Sequence, residues 1–371
     1  MKTFAALAVL IGTIIGAGIL GMPYVIMKSG FPIGLVHIIV IGTFMTLLML
    51  YLGEIVLRTK KIHQLPGYAG RYLGEKGKKL MFLSLCIGIF SAVLAYIIAE
   101  GRSLSYIIFN SPAYEFQMGL LFWLVLSAIT YFGIKAVAKG EIVGVTFVFV
   151  MIISLAVYFT NKIDVNNLKY IFPNNFFAPF GVVLFAFLAF SVIPEVKRVL
   201  GEQKKSMKGV IIGAYAIAAF IYIIFTAIVI GFKGDATPEL ATIALGKPFI
   251  LFGMITMFTA YLALTIAMID IIHLDFNKNK RTAWLITILI PLAAFVILSL
   301  AKATAFTKVL GVGGAISGAI TATLILSMIT KAKKHGDAKP AYSMPYSKIL
   351  SWILIAIFAL GALTEILELL I

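Results

Sequence analysis

The sequence is cut into long apolar runs, each near the length that crosses a bilayer, and that patterning excludes most folds at once. About eleven runs of roughly 20 residues lie near 3–27, 32–57, 80–109, 117–134, 142–160, 176–196, 208–231, 247–274, 282–300, 304–330 and 347–369. A helix of that length traverses about 30 Å of hydrocarbon. A membrane β-barrel would instead show weak alternation over about ten residues per strand, so helices are the remaining way to satisfy the backbone in lipid. Composition agrees: 61% of the 371 residues are hydrophobic and 12% charged, against about half and a quarter in soluble domains.

The net charge of +16 would fit a nucleic-acid partner, but its placement argues for topology instead. With the N-terminus in the cytoplasm and alternating spans, 23 of the 31 Lys and Arg fall on the inner side, as the positive-inside rule requires. Lys28, Arg102, Lys162, Lys169, Lys233, Lys247, Lys302 and Lys308 fall outside. The reading is a multi-pass plasma-membrane protein with a cytoplasmic N-terminus, an outside C-terminus and no nucleic-acid partner. The first apolar run lacks a small-residue cleavage site and leads through Pro23 into the second, so it reads as a span rather than a signal peptide. The longest polar stretch, 58–79, predicts a short surface helix around Tyr68–Leu73. One cysteine, Cys86, builds no disulfide or thiol metal cluster.

Two spans are poor material for continuous helix. In the first, Gly12, Gly16, Gly18 and Gly21 fall within ten residues and Pro23 follows. The sixth, Phe185 to Glu195, carries Pro194 and an ionisable group. The breaks are five spans apart, so the two halves would lie in opposite orientations: an inverted repeat of 1–160 and 161–330, followed by an inner loop and an eleventh helix in 331–371. Paired interruptions of this kind point to a carrier's central site, because broken helices free N–H groups for a carboxylate and carbonyls for a cation. Gly12 and Gly16 taken alone serve close helix packing equally well.

Gly12-Thr13-Ile14-Ile15-Gly16-Ala17-Gly18-Ile19-Leu20-Gly21-Met22-Pro23-Tyr24 resembles the first span of the amino acid/auxin permease and aromatic amino acid permease families, within the amino acid–polyamine–organocation superfamily. Ser191-Val192-Ile193-Pro194-Glu195-Val196 resembles their sixth-span motif, and Thr259-Ala260-Tyr261-Leu262-Ala263-Leu264 through Asp270 their eighth. The resemblance implies an all-α polytopic membrane protein with the leucine-transporter fold, a 5+5 inverted repeat plus an eleventh transmembrane helix. It implies that amides near Gly16, Ala17 and Gly18 hold a substrate carboxylate. Ala189, Phe190 and Ser191 of the sixth span join the binding set, with Phe187 and Phe190 as an apolar lid and the Tyr96 hydroxyl facing the centre. A family Na+ site implies Gly12, Ile15, Thr256 and Thr259, but position 260 is alanine where a second hydroxyl is usual. The fifth-span lysine of some proton-coupled relatives is also absent from 142–160, so the coupling ion stays open between Na+ and H+.

Acidic residues inside spans are functional candidates by default. Glu195 either accepts freed N–H groups or titrates during transport. Glu100 is a proton site, part of an outer gate, or half of a local pair with Arg102. Glu54 suits a helix-end role beside Arg58, Asp270 an inner-gate or structural contact, and Glu365 and Glu368 read as solvated. His37 reads as packing, and no histidine has metal-ligand spacing. The small apolar surroundings of Ala17, Gly18, Phe187 and Ala189 suit a neutral side chain. The expectation is a secondary active amino acid importer working by alternating access, not an enzyme. A channel would need a filter loop and a membrane enzyme a reactive cluster such as HExxH; neither pattern is present, nor is a nucleotide-binding P-loop.

Overall fold

The computed structural model describes residues 2–132 and 137–370, with side chains for all of these but 137–147, 369 and 370. Its regular elements are helical: α1 (Lys2–Ile14), α2 (Gly18–Ser29), α3 (Phe31–Leu57), α4 (Leu65–Phe109), α5 (Glu115–Phe132), α6 (Val137–Phe159), α7 (Phe180–Ala186), α8 (Ile193–Leu200), α9 (Met207–Lys233), α10 (Ala241–Leu245), α11 (Lys247–Asp270), α12 (Lys280–Leu300), α13 (Phe306–His335) and α14 (Lys348–Leu370). Among the described residues nine helices are long and apolar enough to span a bilayer, and a tenth is obtained when the bent pair α1–α2 is counted as one. The protein is thus an all-helical, multi-pass membrane protein. α6 corresponds to the fifth apolar run; of the basic residues ahead of that run, Lys135 lies outside the described residues, as does the side chain of Lys139.

Local sequence explains where the helices stop. At Gly16 the N–H turns back to Ile14 O at 2.9 Å, leaving the i→i−4 ladder, and α2 leaves the break at 51° to α1. The sixth run breaks between Ala186 and Ile193, with Ala189 at φ −140° and a single 3₁₀ turn over Phe190–Val192. Pro194 sits in the first turn of α8, where a missing N–H costs nothing; it starts the second half-helix rather than kinking the first. The predicted surface helix is found as the opening of α4, which turns into the third span at Gly74, φ +79°, a backbone state that glycine adopts without penalty.

Packing is densest around α13, which lies along α4, α7 and α14. The basic end of the bundle is fastened by the segment 336–347. Tyr342 donates to Leu50 O at 2.8 Å and Tyr51 to Pro345 O at 2.9 Å. Asp337 accepts the Lys60 N–H at 2.9 Å and pairs with Arg71 at 3.0 Å; that amide, ahead of the guanidinium, holds its carboxyl below the usual carboxylate range. Lys197 is buried, and its ammonium donates to Val56 O and Thr59 O at 2.8 and 2.6 Å, capping the last turn of α3. Glu54 pairs with Arg58 as expected, at 2.8 Å, and is also the centre of a larger cluster with Lys333, Ser343 and Met344.

One acidic residue departs from expectation, and another loses one of its three alternatives. Glu365 is buried, not solvated, and accepts the Gly181 N–H at 2.9 Å. Glycines at 181 and 311 leave space for the carboxylate, and the first turn of α7 offers it an unpaired N–H. Glu100 forms no pair with Arg102, whose guanidinium reaches Glu239 at 2.9 Å and Glu115 at 3.2 Å. Glu368 is exposed as expected, and His37 packs by its ring against Phe176 and bonds Ile33 O.

Candidate functional site

Both helix breaks open onto one cavity of about 480 Å³, inside the ~300–1,000 Å³ range of small-molecule pockets. Its walls come from α1 and the first break, α4, the sixth-span break, α11 and α13, with Ile129 and Val148 at the side. Of the residues expected from sequence, Gly12, Ile15, Gly16, Gly18, Tyr96, Phe190, Ser191, Thr256 and Thr259 border it. Ala17, Phe187, Ala189 and Glu195 do not.

The displaced residues have physical reasons. Phe187 is fully buried, stacked on Tyr215 at 5.9 Å and edge-on to Tyr222 at 5.1 Å, so it packs toward α9 rather than over the cavity. Ala17 and Ala189 are buried behind the break segments. Glu195 lies in the first turn of α8 and pairs with Arg198 at 2.8 Å, with both side chains partly exposed. Asp270 is exposed at the basic end of α11.

The two breaks touch. A Cβ added at Gly18 would stand 2.6 Å from both Cα and Cβ of Ala186, so the N-terminus of α2 and the C-terminus of α7 approach closer than any side chain allows. Behind the contact stands Tyr222 of α9, whose hydroxyl lies 2.7 Å from Ile14 O and 2.7 Å from Ala186 O, the last carbonyls of α1 and α7. A phenol has one proton, so it donates to one of these acceptors at a time. Tyr215 donates to Phe187 O at 2.9 Å. Carbonyls expected to be free for a ligand are thus partly claimed by two seventh-span tyrosines. Sequence reading missed both, because in a chain with 15 tyrosines nothing local separates them from packing residues. Tyr222→Phe leaves two buried acceptors without their donor; a loss of about 1–3 kcal/mol is expected, read as a lower melting temperature together with a lower maximal uptake rate.

No charged side chain borders the cavity among the described residues. Its polarity comes from backbone at the breaks and from hydroxyls. Thr256 donates to Gly253 O at 2.8 Å and Thr259 to Thr256 O at 2.9 Å. Ser84 donates to Ser317 O at 2.8 Å and lies 2.8 Å from Thr321 Oγ1. Threonine hydroxyls that give their proton to their own helix keep oxygen lone pairs for an ammonium or a metal cation. The Tyr96 hydroxyl faces the first break, 3.7 Å from where a Gly16 Cβ would be. The rest of the lining is largely apolar, with Phe185, Phe190, Phe258, Leu85, Ile89 and Leu262.

The cavity reaches one way. On α4 its lining runs from Ser84 to Tyr96, about 18 Å of helix, toward the basic end. Beyond Tyr96 the opposite end is closed by Arg102, which bridges Glu115, Glu239 and Thr304 O, while Glu239 accepts both N–H and Oγ1 of Thr307 at 2.8 Å. Thr307 and Phe306 lie against Gly21 of α2.

A polytopic helical bundle with an uncharged central cavity at paired helix breaks has the form of a small-solute permease. The sequence profile of the tryptophan/tyrosine permease family matches residues 1–365, and the chain belongs to that family. It is an amino acid transporter of the membrane. No curated protein matches the chain.

Proposed function

We propose that the chain imports a neutral amino acid with an aromatic side chain by alternating access, driven by Na+ or H+. The observation that carries this reading is the uncharged cavity at the meeting of two broken spans, lined by main-chain and hydroxyl groups together with phenyl and aliphatic side chains. A zwitterion suits such a site: its carboxylate takes N–H groups at the start of α2, its ammonium takes carbonyls and hydroxyls, and its side chain packs on the apolar lining groups. A charged side chain would be buried without a counter-ion and is disfavoured by several kcal/mol. The family name points to tryptophan and tyrosine.

The leucine-transporter arrangement fits this reading, with 1–160 and 161–330 as inverted repeats and 331–371 adding the inner loop and eleventh span. In support, α1–α2 and α7–α8 are interrupted spans five apart, and their breaks adjoin one cavity. The basic end is assigned to the cytoplasm by its lysines and arginines, so the cavity faces inward with its outer side clamped by Arg102. Uptake of the twenty amino acids into liposomes holding the purified protein, with and without Na+ and at two pH values, tests the function. Preference for tryptophan or tyrosine is expected; a panel without a substrate, or one won by a charged amino acid, overturns it. For the ion, Gly12, Ile15, Thr256 and Thr259 are the candidate Na+ ligands. Thr259→Val keeps the volume and removes one oxygen: if Na+ is used there, Na+-dependent uptake is lost, whereas unchanged Na+ dependence removes the site.

A further inference from the structure

Glu100 is the one buried acidic side chain without a hydrogen-bond or ion-pair partner among the described residues. It is 1% exposed, and neither carboxyl oxygen has a hydrogen-bond partner among the described residues. None of the cations at that end reaches it: Arg102 pairs with Glu115 and Glu239, Lys28 lies over the Tyr24 ring at 4.4 Å, Lys162 over the Tyr158 ring at 3.7 Å and Lys233 over the Phe232 ring at 4.6 Å, Lys169 bonds Asn166 Oδ1, Lys247 bonds Ile107 O and Lys308 bonds Glu368 O, and Lys302 is exposed. The other acidic groups there are answered or exposed: Glu239 by Thr307 and Arg102, Glu115 by Arg102 and Glu365 by Gly181, with Asp235 and Glu368 exposed. An ionised carboxylate in such surroundings costs far more than the neutral acid. The carboxylic acid is the form this closed conformation can hold.

Position adds the second argument. On α4, residues 96, 100 and 103 share a helix face, so Glu100 stands one turn above Tyr96 at the cavity wall and two residues before the Arg102 clamp. Ser103 Oγ beside it is likewise buried without a partner. The acid thus lies between the substrate cavity and the outer closure.

We propose that Glu100 is the proton-binding site that couples transport, and that the outer clamp closes only after its carboxylate has taken up H+ from the outside. Closing over the anion would bury an unpaired charge; closing over the acid does not. One proton joins one carboxylate oxygen and leaves when inner-side water reaches it, and no other bond changes. This inference rests on the transport reading above and settles its ion as H+.

The test uses the full chain in liposomes, with tryptophan and tyrosine as substrates, an imposed pH gradient and a pH-sensitive dye. Wild-type protein should accumulate substrate when the outside is acidic and carry protons with it. Glu100→Gln, an uncharged isostere, should lose gradient-driven accumulation by at least about tenfold and lose proton movement, while still exchanging labelled for unlabelled substrate. Its melting temperature should equal or exceed that of the wild type, because the amide resembles the neutral acid. Glu100→Asp, which keeps an acid at the position, should retain proton-driven uptake at a reduced rate. Proton-driven accumulation surviving in Glu100→Gln overturns the assignment, as does wild-type uptake driven by Na+ without proton movement, or a sharp fall in the melting temperature of Glu100→Gln. Wild-type protein that neither accumulates nor exchanges any amino acid overturns the transport reading and this inference with it.

Discussion

Gly18→Ala is expected to abolish uptake while leaving the protein able to insert in the membrane. The new methyl would stand 2.6 Å from Cα and Cβ of Ala186 and 3.1 Å from its N. A flexible side chain could turn away from such a clash, but two of these atoms are backbone, so the half-helices α2 and α7 must separate. Overpacking of this kind costs typically about 1–3 kcal/mol, a modest part of the stability of a large bundle. The functional cost is larger, because the separation falls at the cavity and pulls Ile14 O and Ala186 O from their shared donor, Tyr222. Initial uptake rates, with membrane abundance as the control, check the expectation. Wild-type rates in Gly18→Ala would mean that the contact is not held during transport. Ala186→Gly in the same chain should restore only part of the rate, since it removes the Cβ clash and leaves the Cα one.

Glu54→Ala is expected to produce the largest loss of stability of any single carboxylate change in the protein. Its side chain is fully buried, and Oε1 takes Arg58 Nε at 2.8 Å, Lys333 Nζ at 2.9 Å and Ser343 Oγ at 3.0 Å, while Oε2 takes the Met344 N–H at 2.7 Å. Removing the anion leaves two half-buried cations facing each other and an amide without an acceptor. Breaking a buried ion cluster from one side costs about 3–5 kcal/mol. The same principle predicts a rescue: Glu54→Ala combined with Arg58→Leu and Lys333→Met should recover much of the loss, because deleting the whole cluster is cheaper than stranding part of it. Thermal unfolding in detergent gives both values. Limited proteolysis should show the 336–347 segment cut earlier in Glu54→Ala, since Glu54 is its deepest anchor; an equal rate of cutting would place the loss elsewhere.

These two residues differ in how far they can be read without a structure. Glu54 is an acidic residue near a helix end with Arg58 four residues on, a local spacing that already implies a pair. That the pair also collects Lys333, Ser343 and Met344, nearly 300 residues away in the chain, depends on where the last inner segment lies. Gly18 belongs to a glycine-rich stretch that announces a break, yet the same stretch would read identically had it served helix packing alone. Its partner Ala186 is an ordinary small residue. Glu365 shows the limit from the other side: an acidic residue near the end of the last apolar run reads as solvated, and it is buried because glycines at 181 and 311 make room for it on two other helices.

The sequence by itself determined the helical membrane class, the places where the first and sixth spans fail as helices, and the side on which the basic loops gather. Each is a property of neighbouring residues: hydropathy summed over about 20 positions, backbone freedom at glycine, and proline's preference for the first turn of a helix. The tertiary structure alone decided that the two breaks meet at Gly18 and Ala186, that Tyr222 serves carbonyls of both, that Phe187 turns away from the cavity, and that Arg102 leaves Glu100 without a partner. Those are facts about which faces of distant helices come together. In a bilayer nearly every face of a span is apolar, so hydrophobic periodicity carries little record of that pairing, and only side-chain shape and hydrogen bonding select it.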